Sequence, residues 1–117
     1  MKTEARKIVY LLAGDGVGHT ENEILRQKLT FDFFDELKRP ENQPGAICFM
    51  TEGVRLTCSN SPHLKVLREL DSAGVLLLVC QASLAAYDLV NDFEIGVAGG
   101  MDDFAKKFSE APTVISI

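Results

Sequence analysis

Cys80 is the residue in this chain whose type and position best fit a reactive, nucleophilic side chain. It ends the apolar run Val75–Val79 and is followed at once by short side chains that begin a predicted helix. Backbone N–H groups at the start of a helix are unpaired, and they stabilise a thiolate relative to a thiol. The thiolate is the nucleophilic form of cysteine, and the hydroxyl of Ser83 is placed to donate a hydrogen bond to it. The competing interpretation is that Cys80 is inert core packing.

The other histidines and cysteines are weaker candidates. His19 lies in a loop and could supply a cation or carry a proton for a nearby thiol, or it could simply be exposed. His63 is expected to face solvent, Cys48 to lie in the core, and Cys58 to be a second, exposed thiol of open role. These residues are dispersed, with no C-x-x-C or H-x-x-x-H spacing, so neither a metal site nor a cofactor is expected.

A glycine-rich turn follows the first predicted strand. Gly14, Gly16 and Gly18 lie in the segment GDGVG, and such loops sometimes hold small anions on backbone N–H groups. The segment lacks the G-K-[ST] ending of a phosphate-binding loop, and Asp15 places a negative charge where an anion would lie. The simpler interpretation is that the three glycines are needed for the backbone geometry of the turn. The alternative is that they form a pocket for a small ligand.

Composition and charge narrow the classes of protein. The chain has 117 residues, of which 46% are hydrophobic and 25% charged, and this is typical of one soluble globular domain spanning residues 1–117. A net charge of −5 disfavours nucleic acid as a partner, and the apolar runs are too short to span a membrane. Three cysteines, an odd number without regular spacing, favour a reducing cytoplasm.

Hydrophobic patterns and turn signals predict strands that alternate with helices. Leu25, Leu29, Phe33 and Leu37 form the predicted core stripe of the first helix, which Thr20 and Glu23 are expected to cap. Ile24 and Phe31 fall on nearly the opposite side, which suggests a contact surface for a homo-oligomer. The predicted strands are 7–13, 46–50, 75–79, 93–98 and 113–117, and the predicted helices are 21–38, 61–73 (with Ser61 as cap and Pro62 first), 82–89 and 101–108. This order predicts a three-layer α/β/α sandwich with a mostly parallel five-stranded sheet.

Several segments together resemble the DsrE/DsrF-like family, which includes the TusD sulfur-relay subunits. The resemblance is carried by VLLLVCQASLAAYDL around Cys80, by KIVYLLAGDGVGHTENEILRQKL, and by the G-V-x-L-T segment that starts at Gly53. It is strongest to the DsrE-like domain of YedF-type proteins, which are associated with selenium metabolism. It covers nearly the whole chain.

The resemblance implies a DsrE-like sheet, an oligomer (dimer, trimer or hexamer), and a cysteine that carries sulfur as a persulfide. Cys80 occupies the position of that cysteine, and the implied partners are a sulfur donor and an acceptor such as a TusA-like protein. Two departures stand out: Ser83 replaces a second cysteine of the YedF pattern, and no TusA-like segment is present. A sulfurtransferase-like carrier is therefore the first functional hypothesis. A non-catalytic oligomeric scaffold and a small-ligand protein using the Gly14–Gly18 turn are the alternatives.

Overall fold

The computed structural model describes residues 2–117, with side-chain surroundings from residue 4 onward. It contains five α-helices, two short 3-10 helices and five strands. The α-helices are α1 (Lys2–Arg6), α2 (Glu23–Leu37), α3 (Leu64–Ser72), α4 (Gln81–Ala86) and α5 (Met101–Glu110). The strands are β1 (Ile8–Leu12), β2 (Ala46–Phe49), β3 (Leu76–Cys80), β4 (Val97–Gly99) and β5 (Thr113–Ser116), and the 3-10 helices span Pro40–Asn42 and Thr51–Thr57.

All five strands form one parallel sheet in the order β4-β3-β2-β1-β5. The short apolar strands explain this arrangement, because strands buried on both faces are typical of a parallel sheet whose crossovers are helices. The predicted α/β/α architecture with a parallel five-stranded sheet is therefore confirmed. The sheet is most deeply buried at its centre, where all four residues of β2 are covered.

The two faces of the sheet are covered by different helices. Tyr10 of β1 packs edge-on against Phe33 of α2, with ring centroids 5.1 Å apart, so this face of the sheet lies under α2. Leu76 and Leu78 of β3 lie on the opposite face and line a cleft together with residues of α5. Because side chains alternate along a strand, Cys80 belongs to the face that α5 covers.

The first long helix begins later than the sequence pattern predicts. Asn22, rather than Thr20, is its N-cap, and the Asn22 side chain accepts a hydrogen bond of 3.0 Å from the amide of Leu25. The Thr20 hydroxyl accepts instead from the amide of Asn22 at 3.1 Å, in the turn before the helix. The predicted capping box of Thr20 with Glu23 is therefore wrong. The observed N-cap, Asn22, belongs like threonine to the residue types that are preferred at this position.

The buried face of α2 also differs from the predicted stripe. The helix buries Thr30, Phe34 and Leu37, while Leu25 and Leu29 are 44% and 42% exposed. Thr30 is inside because its hydroxyl donates to the carbonyl of Arg26 and accepts from the amide of Val17. A polar residue whose hydrogen-bonding groups are satisfied can take the place of an apolar residue in the core. The buried face of α2 therefore includes Thr30 and leaves Leu25 and Leu29 on the exposed side.

The segment after β2 forms the 3-10 helix Thr51–Thr57. Gly53 lies so close to the carbonyl of Leu12 that any Cβ would collide with it. The next helix, α3, begins at Leu64 and not at Pro62, and Ser61 accepts from the amide of His63 in the turn that precedes it. Helix 2–6 and the 3-10 helix 40–42 were not predicted.

Candidate functional site

Cys80 lies where β3 ends and α4 begins. It is the N-cap residue of α4, and its side chain is 4% exposed. Parallel sheets collect reactive groups at this edge, since turns and helix starts meet there. Within residues 2–117 the Cys80 sulfur makes no hydrogen bond, and Cys80 is not among the residues that line the clefts at this edge. The predicted position of the thiol is therefore observed, but the sulfur is covered.

Ser83 makes a different hydrogen bond from the one predicted with the Cys80 sulfur. Its hydroxyl oxygen accepts a hydrogen bond of 2.8 Å from the amide of Thr51, two residues after β2, and among the described residues the hydroxyl donates no hydrogen bond to the Cys80 sulfur. The Thr51 hydroxyl in turn donates to the carbonyl of Ala13, just beyond β1. Thr51 has a φ of 50°, which is strained for a β-branched residue. Ser83 and Thr51 thus fasten α4 to the carboxyl ends of β1 and β2.

His19 and the glycine-rich turn lie apart from Cys80. β2 separates β1 from β3, and the turn packs on α2, where a Cβ at Gly16 would press against the Arg26 and Thr30 side chains. His19 is exposed and lines a cleft of about 250 Å³ together with Gly14, Gly16 and Gly18. Cys80 does not line the cleft that contains His19 and the turn, and no hydrogen bond among the described residues joins either of them to Cys80.

The charges at the glycine-rich turn are already paired. Arg26 lines the same cleft and lies 3.4 Å from a carboxylate oxygen of Asp15 and 3.5 Å from one of Glu23. An anion in this cleft would compete with two carboxylates for one guanidinium group. The turn is therefore better explained by its packing on α2 than by anion binding.

The other two cysteines are buried thiols. Cys48 is fully buried in β2, as predicted, and burial raises its pKa to about 11. Cys58 was expected to be exposed, but it is 5% exposed, its thiol donates to the Val54 carbonyl at 3.3 Å, and burial raises its pKa as well. Both remain protonated at neutral pH, and a protonated thiol is a poor nucleophile.

His63 is also buried, contrary to its predicted position. It is 2% exposed, not solvent-facing, and its ring lies edge-on to Phe34 with centroids 5.9 Å apart. Its Nε2 is 2.7 Å from Oε1 of Gln27, and with the Gln27 amide in this orientation Nε2 carries the proton and donates, because a carbonyl oxygen can only accept. Burial lowers the pKa of His63, so the ring is neutral at pH 7.

Gln27 belongs to the wall of a second cleft at the carboxyl edge of the sheet. This cleft has a volume of about 230 Å³, and Cys58 and Arg55 also line it. Arg55 is held by Glu52, with a 2.6 Å contact, and lies over the ring of Tyr87 at 4.8 Å. The only sequence signal for this cleft was the cluster of small polar residues at 59–61, which is typical of any loop.

The part of the chain that the structure describes contains neither a candidate metal site nor a candidate membrane-spanning helix. Among residues 2–117, no three His, Cys, Asp or Glu side chains are grouped closely enough to hold a metal ion. No helix in the same range has the length and apolar character needed to cross a bilayer.

The fold is that of known proteins. The chain superposes on the crystal structure of the YchN protein from E. coli with a TM-score of 0.64 and 13% identity, over 93% of this chain and 97% of that one. It matches MTH1491 from Methanobacterium thermoautotrophicum, described as a protein of unknown function, with a TM-score of 0.64 and 20% identity, over 94% and 97% of the two chains. The shared architecture is the DsrE-like α/β/α fold.

Sequence comparison adds no closer relative. No protein-family profile matches the chain, and no curated protein matches it. At this level of identity the structural likeness defines the fold class alone, because one fold can support many activities.

Proposed function

We propose that this protein is a sulfur carrier that holds a persulfide on Cys80. The observation that carries the proposal is the position of Cys80 at the carboxyl end of β3, at the start of α4, in a DsrE-like sheet. Cys48 lies inside β2 and Cys58 ends the 3-10 helix Thr51–Thr57, so neither occupies a junction between a strand and a helix, and burial raises the pKa of both thiols. The resemblance around Cys80 supports the same residue.

The transfer proceeds by thiol exchange without net oxidation. The Cys80 thiolate attacks the outer sulfur of a donor persulfide, a new S–S bond forms at Cys80, and the donor leaves as a thiolate. An acceptor thiolate then attacks the outer sulfur held on Cys80, and Cys80 leaves as a thiolate. Since Ser83 stands where a second cysteine would be, no disulfide closes across residues 80–83, and the carrier uses one thiol.

The burial of Cys80 sets a condition on this mechanism. Because Cys80 is 4% exposed, a donor reaches it only after a neighbouring element moves, and we take α4, which begins directly after Cys80, to be that element. The helix has six residues and is held by the hydrogen bond between Ser83 and Thr51 and by the buried side chain of Leu84. Few contacts hold so short a helix, and segments of this kind open more easily than the rest of a fold. Between transfers, the closed helix would shield the persulfide from water and reductants.

The test is intact-mass analysis after incubation with a small persulfide donor. The native protein should gain about 32 Da, one sulfur atom, and lose it on reduction. Cys80→Ser should abolish the gain, while Cys58→Ser, which replaces an equally buried thiol, should keep it. No adduct on the folded protein, or an adduct that survives in Cys80→Ser, would exclude the proposed role.

A second candidate is a non-catalytic oligomeric scaffold. The burial of Cys80 and the exposed apolar side chains of α2 favour it. Under this alternative, Cys80 stays unmodified by the donor in the native protein, while the chain still forms a defined oligomer.

A further inference from the structure

Two side-chain contacts join α4 to the 3-10 helix Thr51–Thr57, which follows β2. Within α4, the hydroxyl of Ser83 accepts a hydrogen bond of 2.8 Å from the amide of Thr51. At the end of α4, the guanidinium carbon of Arg55 lies 4.8 Å from the centre of the ring of Tyr87, the C-cap residue. The helix that directly follows β3 is therefore fastened to an element from a different part of the chain.

The 3-10 helix is the firmer of the two elements. It buries four of its residues, and among them Val54 and Leu56 are 0% and 4% exposed. In α4, by contrast, two of six residues are buried, Ser83 and Leu84. Local opening begins where few apolar contacts would be lost. When the contacts between the two elements break, α4 is therefore the element that moves.

The side chain of Arg55 is held in place over Tyr87 by a carboxylate. Its Nε lies 2.6 Å from Oε2 of Glu52, which is three residues earlier on the same 3-10 helix. Side chains three residues apart in a 3-10 helix lie above one another, so this pair forms without distortion. Both side chains are about half exposed, so the ion pair adds little stability by itself. Its effect is to keep the guanidinium group over the aromatic ring, to which a cation is attracted.

We propose that the contact between Arg55 and Tyr87 is a latch that keeps α4 closed and so controls access to the Cys80 sulfur. A contact of this kind at a protein surface is weak, so it breaks and re-forms without unfolding of the sheet. The inference rests on the proposed function, since a carrier needs a sulfur that is covered between transfers and reachable during them. Arg55 and Tyr87 are positioning residues, because they act through α4 and not on the sulfur itself.

The test is alkylation of the native full chain with N-ethylmaleimide, followed at each cysteine by peptide mass spectrometry. In the native protein Cys80 should react faster than Cys48, because α4 opens more often than the central strand β2 unfolds. Arg55→Gln and Tyr87→Leu should each raise the alkylation rate of Cys80 by about two- to fivefold, the range expected from losing an exposed contact between a cation and an aromatic ring. Removing a cation disfavours a thiolate, so a faster reaction in Arg55→Gln reports access to the sulfur.

The matched control is Asn22→Ala, which weakens the fold at the start of α2 and leaves both contacts of α4 in place. It should raise the alkylation rate of Cys48, which reacts on global unfolding, and leave that of Cys80 at the native value. An equal acceleration of Cys80 by Asn22→Ala and by the latch variants would show that the sulfur is exposed only by global unfolding. That result, or a native rate at Cys80 in both latch variants, would overturn the inference.

Double variants separate the latch from the other contact of α4. Arg55→Gln combined with Tyr87→Leu should react at Cys80 about as fast as Tyr87→Leu alone, because both changes remove the same contact. Arg55→Gln combined with Ser83→Ala should multiply the two single effects, because the hydrogen bond of Ser83 to Thr51 is separate. Multiplied effects in the first pair would contradict a direct contact between Arg55 and Tyr87.

Alkylation reports access to Cys80 whether or not a persulfide forms there. Faster alkylation in the latch variants, with no persulfide adduct on the native protein, would support the latch and exclude the carrier function. A persulfide adduct on Cys80, with native alkylation rates in both latch variants, would support the carrier function and exclude the latch.

Discussion

At the scale of single residues, the imidazole of His63 shows how burial changes a side chain's role. An ordinary histidine is partly charged near pH 6.5, but this one is packed against Phe34 and has one hydrogen-bond partner, Gln27. Its Nδ1 is buried without a partner among the described residues, so an N–H group formed there by protonation would have no hydrogen-bond acceptor. Desolvation therefore holds the ring neutral and lowers its pKa.

This lowered pKa makes folding stability depend on pH. Above pH 6.5 His63 is neutral in the folded and unfolded states and adds no pH dependence. As the pH falls below 6.5, the unfolded state takes up a proton that the folded state refuses, so stability falls until the lower folded pKa is reached. Each unit of difference is about 1.4 kcal/mol. His63→Gln should therefore lose less stability between pH 7 and pH 5 than the native protein, as measured by urea unfolding.

The control is His19→Gln, which makes the same substitution at the other histidine of the chain, an exposed one. If His63→Gln and the native protein lose the same stability on acidification, the imidazole is not shielded as described.

At the scale of elements, the start of α2 depends on one polar side chain. Asn22 lies just before the helix, and its side-chain oxygen Oδ1 accepts a hydrogen bond from the amide of Leu25 in the first turn. The first amides of a helix have no partners within the helix, so this bond replaces one that water would otherwise make. The Thr20 hydroxyl lies two residues earlier and accepts from the amide of Asn22, in the turn before the helix.

Asn22→Ala should therefore lower the free energy of unfolding by about 1 kcal/mol, the usual cost of losing an N-cap. Thr20→Ala should cost clearly less, because its hydroxyl bonds to no amide within the helix. Thermal or urea unfolding of the two variants measures the difference. A larger loss for Thr20→Ala would restore the capping box that the sequence pattern suggested.

At the scale of the whole molecule, the sheet is deeply buried in the middle and open at its edges. β2 is buried along its full length, whereas all four residues of β5 are exposed and β4 has only three residues. β5 pairs with β1 on one side, and its other side carries no strand partner among residues 2–117. Stability within a fold follows burial and hydrogen bonding, so the edges should open before the centre.

Hydrogen exchange followed by mass spectrometry measures this order. Amides of β2 and β3 should be the slowest, exchanging only through global unfolding, while those of β4 and β5 should exchange through smaller openings. Peptides that cover α4 should also exchange early if this short helix gives access to Cys80. Protection of β5 equal to that of β2 would show that the edge is covered in solution.

Local patterns in the sequence were enough to predict the class of fold, the order of the five strands and of the four α-helices that connect them, and the place of Cys80 at the end of β3. Uniform apolar runs predict buried parallel strands. Where such a run is followed directly by a predicted helix, the residue between them is expected at the carboxyl edge of the sheet, and Cys80 is such a residue. Which side chains are covered depended on tertiary contacts. His63 and Cys58 are buried, Ser83 bonds to Thr51, and residues 25 and 29 are half exposed, because each of these depends on elements distant in the chain. Periodicity describes one helix or strand, whereas burial is set by the neighbours that pack against it.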